Sequence, residues 1–262
     1  MSRYDADYIP TSAMAIFAHP DDAEFTVAGT LARWAKAGCE TSVVLITSGN
    51  VGTHDPALTR DCLARTREEE TRAAMEVLGV RRVVFLGDND CEVVNTIGLR
   101  RRLVREIRAH RPEVVICADP QTLFFGDRYV NHPDHRAGGA AALEASFPCA
   151  EMELLWPEEG APHKVMAIYV SSTAEPNAAV DITGTIDTKI AALRRHASQL
   201  GDRDPSEMIR GWARDEARKA GARRARAKGK RTGGRSSTGP KYCEAFRVMR
   251  IRQREEEPEA GG

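Results

Sequence analysis

Short, wholly apolar runs alternate along this chain with longer segments of mixed polarity. Residues 13–18 (AMAIFA), 41–47 (TSVVLIT), 83–86 (VVFL) and 113–118 (EVVICA) are apolar or β-branched almost throughout. That is the pattern of strands covered on both faces. Helical spacing fills the gaps. It runs over 25–37 up to Gly38, over 60–78 with a stripe of Cys62, Leu63, Met75 and Leu78, and over 96–110 as a basic amphipathic segment. Gly38 and Gly79 stand where a helix commonly stops. A helix of small residues over about 136–145 follows the fourth strand. Strand–helix alternation of this kind predicts an α/β fold, Rossmann-like and doubly wound, with a mostly parallel sheet and helices on both faces.

Beyond residue 147 the pattern thins. Residues 164–170 (KVMAIYV) and 178–182 read as strands, and 183–200 as one helix. The Rossmann-like domain is therefore placed at 1–200, and 201–262 is a C-terminal segment that covers part of the active-site face. That segment is rich in Arg, Lys, Ala, Gly and Ser from Arg203 to Lys241, with the composition of a flexible basic insertion, and returns as a short strand, YCEAFRVMRI, before an acidic tail.

Composition narrows the function classes. The 262 residues suit a sizeable single core, and 38 basic residues balance 38 acidic ones, so no global charge draws the chain to nucleic acid or an anionic membrane. The basic run 218–235 lacks interleaved aromatics, which argues against a nucleic-acid site. No apolar stretch is long enough to span a bilayer, and Met1 to Tyr8 carries acidic residues where a signal peptide would be apolar. Six cysteines are scattered without a CxxC pair, which suits free thiols in the cytoplasm.

The chemistry lies in two clusters. His19-Pro20-Asp21-Asp22-Ala23-Glu24 follows the first strand, and Asn131-His132-Pro133-Asp134-His135 closes the loop after the fourth. One His-Pro-Asp is most often a turn with a capping Asp. Two of them behave differently, because strands 1 and 4 are neighbours at the switch point of a sheet ordered 3-2-1-4-5, and ligands bind beyond their carboxyl ends. Three imidazoles and several carboxylates would then share one crevice. His and Asp suit zinc, and iron(II) accepts a two-His, one-carboxylate set as well. SGNVGT, with Gly49 and Gly52, lacks dinucleotide spacing, and no GxSxG follows a strand.

AHPDDAE and HPDH together resemble the paired signatures of the PIG-L/LmbE family of N-acetylglucosaminyl deacetylases, over about residues 14–143. TSGNVGT, the helix from Arg67 to Glu70, His196-Ala-Ser-Gln and the terminal Tyr-Cys-Glu-Ala-Phe are similar to family features too. The resemblance implies zinc held by His19, Asp22 and His135, with Asp21 as the general base on water. It implies His132, oriented by Asp134, as the charged partner or general acid at the tetrahedral oxyanion, and Arg67, Asp90 and His196 as substrate contacts. It further implies an acetylated amino-sugar substrate and trimeric or hexameric assembly. Amide hydrolysis of thiol-sugar conjugates is the rival within enzymes; a sugar-binding protein with a structural metal is the rival outside them. Cys91 stands where a glycine is usual, and Asn50 where an acid is frequent; both bear on the substrate, not on the metal chemistry.

Overall fold

The computed structural model describes residues 8–227 and 239–251. The amino-terminal stretch read above, the basic run beyond residue 227 and the acidic tail lie outside them. Five parallel strands form most of one sheet: β1 (Ser12–Phe17), β2 (Glu40–Thr47), β3 (Arg82–Asp88), β4 (Val114–Ala118) and β7 (Ala167–Ser171). Their order is β3-β2-β1-β4-β7, the expected doubly wound arrangement. β8 (Ala178–Asp181) and β9 (Cys243–Arg250) extend it, with β9 inserted between β7 and β8 and antiparallel to both. A separate two-residue hairpin, β5 (Phe124–Phe125) with β6 (Tyr129–Val130), stands in the loop after β4.

Alternation along each strand divides the core in two. Ala13, Ala15 and Phe17 of β1 face one layer, built on α2 (Ala28–Lys36), α3 (Arg60–Leu78) and α6 (Ile186–Leu193). Met14 and Ile16 face the other, built on α4 (Ile97–His110) and α5 (Pro133–Ser146). Local chemistry starts the helices where the polarity changes. The Thr59 and Thr96 hydroxyls accept from the amides of Cys62 and Leu99, capping α3 and α4. α5 is rich in small residues because it lies tight on the sheet: a Cβ on Gly138 would come 2.7 Å from the Ile46 Cδ1.

Three helices depart from the sequence reading. The segment 25–37 is two pieces, α1 (Asp22–Thr26) and α2, broken at Val27. The restart is capped from far away, since the Glu244 carboxylate on β9 accepts from the amides of Gly29 (2.9 Å) and Thr30 (2.7 Å). The segment 183–200 is also two pieces, α6 and the one-turn α7 (Ala197–Leu200), parted where His196 turns into the interior. In the basic segment, α8 (Ser206–Ala227) is a 22-residue helix where a flexible insertion was expected to begin. No helix among the described residues is long and apolar enough to cross a membrane.

Glu244 also holds the Lys189 ammonium at 2.6 Å, and both side chains are buried. Removing one partner of a buried pair strands the other charge. Glu244→Ala should lower unfolding free energy by about 3–5 kcal/mol in urea titration. Glu244→Ala combined with Lys189→Met should recover part of that loss.

Candidate active site

The parallel pairing of β1 with β4 brings the two clusters together at one sheet edge. Register Ile16↔Cys117 leaves His19 and the loop that ends at Asn131 emerging side by side. Asp21 adopts φ 85°, a left-handed backbone that an L-residue rarely takes away from functional turns. At the other cluster Pro133 opens α5, so Asp134 and His135 occupy its first turn and point from a fixed frame.

Three side chains converge. His19 Nδ1 lies 3.2 Å from His135 Nε2 and 3.6 Å from Asp22 Oδ2, and His135 Nε2 lies 3.0 Å from Asp22 Oδ1. Ligands about 2.0–2.1 Å from a tetrahedral zinc stand about 3.3–3.4 Å apart, and these separations bracket that value. The outer ring nitrogens are occupied. His19 Nε2 faces Asp90 Oδ1 at 3.1 Å and Asp134 Oδ2 at 3.2 Å, and His135 Nδ1 faces Asn131 Oδ1 at 3.0 Å. Acceptors there assign the ring protons outward and leave lone pairs on the converging nitrogens. The trio can hold a metal ion.

The electrostatics favour positive charge at the same point. Burial alone would lower the His19 pKa, yet hydrogen bonds to Asp134, Asp22 and Asp90 carry it up to about 12. Burial opposes ionisation of Asp22, but His135 and His19 hold it below the usual carboxylate range. Asp90 is likewise held at about 2, chiefly by His19 against the cost of burial. Asp21 goes the other way: burial, then Asp22 and Glu24, raise it well above an ordinary carboxyl. Nothing among the described residues hydrogen-bonds the Asp21 side chain, so its carboxylate stands free in the cavity.

Other positions differ from the sequence reading. Asp134 is wholly buried and accepts from His19 and from the amides of Cys91 (2.7 Å) and Val93 (3.3 Å). Its carboxylate stays 4.0 Å from His132 Nδ1, which accepts the Asp134 amide and so caps α5. His132 is therefore oriented by that backbone amide, and its ring proton sits on Nε2, 3.6 Å from the Cys91 sulfur. That proton leaves no lone pair for an ion between His132, Asp90 and Cys91. Burial and the charge on His19 lower the His132 pKa, which favours a neutral ring over the charged partner expected.

Arg67 lines the cavity while its guanidinium donates to the carbonyls of Gly49 (2.5 Å) and Gly52 (2.7 Å). Those glycines clear a path for it, since a Cβ on Gly52 would lie 2.7 Å from Nη1. Asp90 lines the cavity too, its amide held by Asn50 Oδ1. Cys91 sits at φ 68°, which accounts for glycine being the usual residue there. His196 does not reach the cavity; it is fully buried against Glu24 at 2.7 Å. Asn131, within the second cluster, is a further site residue, and a polar residue four positions before a helical His is a readable signal for it.

With that geometry in view, residues 14–146 match the family model described as PIG-L, GlcNAc-PI de-N-acetylase. The chain belongs to the PIG-L family. It is 33% identical over 192 residues to a diacetylchitobiose deacetylase of Thermococcus kodakarensis, covering 71% of this chain and 69% of that one. It is 28% identical over 196 residues to a probable N-acetyl-alpha-D-glucosaminyl L-malate deacetylase of Bacillus anthracis, covering 71% and 80%. The N,N'-diacetylchitobiose deacetylase structure from Pyrococcus horikoshii superposes with TM-score 0.80 at 26% identity, over 95% of this chain and 88% of that one. A 4-carboxy-2-hydroxymuconate hydratase from Pseudomonas putida KT2440 shares the fold at TM-score 0.74 and 24% identity, over 94% and 99%. The PIG-L fold alone thus does not name a reaction.

Asn131 supplies the outer hydrogen bond of His135, so Asn131→Ala should weaken zinc affinity about 10- to 100-fold, read by competition with a chromogenic chelator.

Proposed function

We propose that this protein is a metal-dependent hydrolase that removes the N-acetyl group from an amino-sugar conjugate. The observation that carries the reading is a tetrahedrally spaced His19–Asp22–His135 trio beside an unbonded Asp21 carboxylate. His19, Asp22 and His135 would hold a divalent ion, zinc by their nitrogen and oxygen donors, and such an ion would supply Lewis-acid polarisation of the amide carbonyl and acidify water. Asp21 accepts the proton of the attacking water as oxygen adds to the carbonyl carbon. His132 Nε2–H donates to the amide oxygen as it becomes negative. When the C–N bond breaks, the nitrogen takes the proton that Asp21 holds and leaves as the free amine, and acetate remains.

The cavity, about 990 Å³, stands near the top of the range of about 300–1,000 Å³ for small-molecule sites. Its lining runs from buried polar residues, Arg67 and Asp90, to the half-exposed aromatics Tyr129 and Trp212. That gradient supports a substrate with an acetamido sugar inside and a second ring or aglycone outside, as the names of the relatives suggest. Six scattered cysteines without a CxxC pair support a reducing, cytoplasmic setting.

Acetate release from N-acetylglucosamine, diacetylchitobiose and N-acetylglucosaminyl malate or inositol, with and without chelator, tests the reading. The expected outcome is chelator-sensitive release that is faster from the conjugates than from the free sugar. Asp21→Ala should keep about one metal per chain and lose about 10²–10⁴-fold in kcat, while His135→Ala should lose the metal. Unchanged kcat in Asp21→Ala would overturn the mechanism. Trp212→Ala should raise KM for the conjugates about three- to tenfold, the size of a lost aromatic contact, and leave KM for the free sugar unchanged.

A further inference from the structure

The direction of the Asp21 carboxylate is unprotected by any contact of its own. It caps α1 in position only, with no side-chain cap hydrogen bond, at φ 85°. Its aim is therefore set by backbone, and a left-handed residue costs energy that the surroundings must supply. What surrounds the turn from behind is the short stretch His196 to Gln199. His196 Nε2 meets Glu24 Oε1 at 2.7 Å, with both side chains 0% exposed. Gln199 Nε2 donates to the carbonyl of Pro20 at 3.0 Å, directly before Asp21. Ser198 donates through its amide and hydroxyl to Glu70, at 2.7 and 2.6 Å, on the helix that carries Arg67.

One turn of chain thus ties the residue before Asp21, the helix after it and the helix behind the cavity. The Glu24–His196 contact is also an expensive one to keep. Glu24 Oε2 and His196 Nδ1 are buried without partners, whereas an apolar pair of similar size would leave nothing unsatisfied. A buried polar pair retained at such a cost, three residues from the proposed base, suggests that its geometry matters more than its contribution to stability.

We propose that Glu24 and His196, with Gln199, are positioning residues that hold the strained turn so that Asp21 points at the attacking water. His196 acts through Asp21 and does not touch substrate. The inference rests on the reading of Asp21 as the base.

The test is a double-mutant cycle on the metal-loaded enzyme with the best conjugate substrate. Glu24→Leu with His196→Leu removes both polar groups and leaves neither stranded. The expected result is about one metal per chain, KM within twofold of the parent and kcat lowered about 10- to 100-fold. Glu24→Gln, which can still hydrogen-bond His196, should keep most of kcat. In an Asp21→Ala background the same pair of substitutions should lower the residual kcat less than twofold, because residues acting as a unit are not additive. Equal losses in both backgrounds, loss of metal, or an unchanged kcat would each overturn the proposal. Gln199→Ala, run through the same cycle, decides the matter if the Leu pair does not fold. Should Asp21→Ala itself retain full kcat, the base assignment fails instead, and the single-background data show which of the two readings has fallen.

Discussion

The pairing of β1 with β4 is the constraint on which the site depends. Parallel strands cannot be joined by a tight turn, so β1 and β4 are nearly a hundred residues apart in sequence yet share one register. Both then end at the same edge, and each hands its chain to a proline turn. The proline rings fix φ and hold the preceding histidines extended. A single-residue slip in either strand would exchange its two faces, bury the wrong alternation and carry His19 away from His135. The two-layered core makes that slip costly, because Ala13, Ala15 and Phe17 pack on one side of the sheet while Met14 and Ile16 pack on the other.

Convergence creates an electrostatic problem, and the local structure is arranged around it. Asp21, Asp22, Asp90 and Asp134 surround His19 in a region largely shut off from water. Left alone, such carboxylates would retain protons or push apart. Asp134 is stabilised by two backbone amides, Asp22 and Asp90 by imidazoles, and only Asp21 has no partner. The carboxyl group that burial and its acidic neighbours push upward is thus also the one left free to move a proton. A cation at the trio fits the same balance, since three ordered carboxylates already favour positive charge there.

The fold's central part and both clusters are legible because their signals are local. Continuous apolar runs mark β1 to β4, threonine caps and terminal glycines bound α3, and proline turns sit beside the strands they end. The misread pieces have partners far away in sequence. Glu244 caps the restart after Val27, and Glu24 meets His196 at the break before α7; a window of helical periodicity contains neither. The family resemblance pairs Asp134 with His132, whereas its hydrogen bonds run to His19 and to the loop after β3. His196 is a substrate contact by resemblance alone, and the fold buries it against Glu24.

The two halves of the chain do different work at the cavity. Everything that can hold an ion or move a proton comes from residues 19–135, on short turns at the ends of strands, where position is stiff. The outer wall is supplied by residues 203–212, on the loop after α7 and the start of α8, together with the β5–β6 hairpin. Those elements rest on the sheet edge instead of continuing its strands, so their side chains can change without moving β1 against β4. Trp212 and Met208 are half-exposed there, apolar surface facing the cavity in a segment otherwise dominated by charge. In a monomeric surface such residues would favour burial, and at the mouth of a sugar site they offer flat faces to a ring. Reaction and selectivity are therefore separable in this architecture: a stiff inner frame sets the chemistry, and an outer wall carried on independent elements sets what is attached to the sugar.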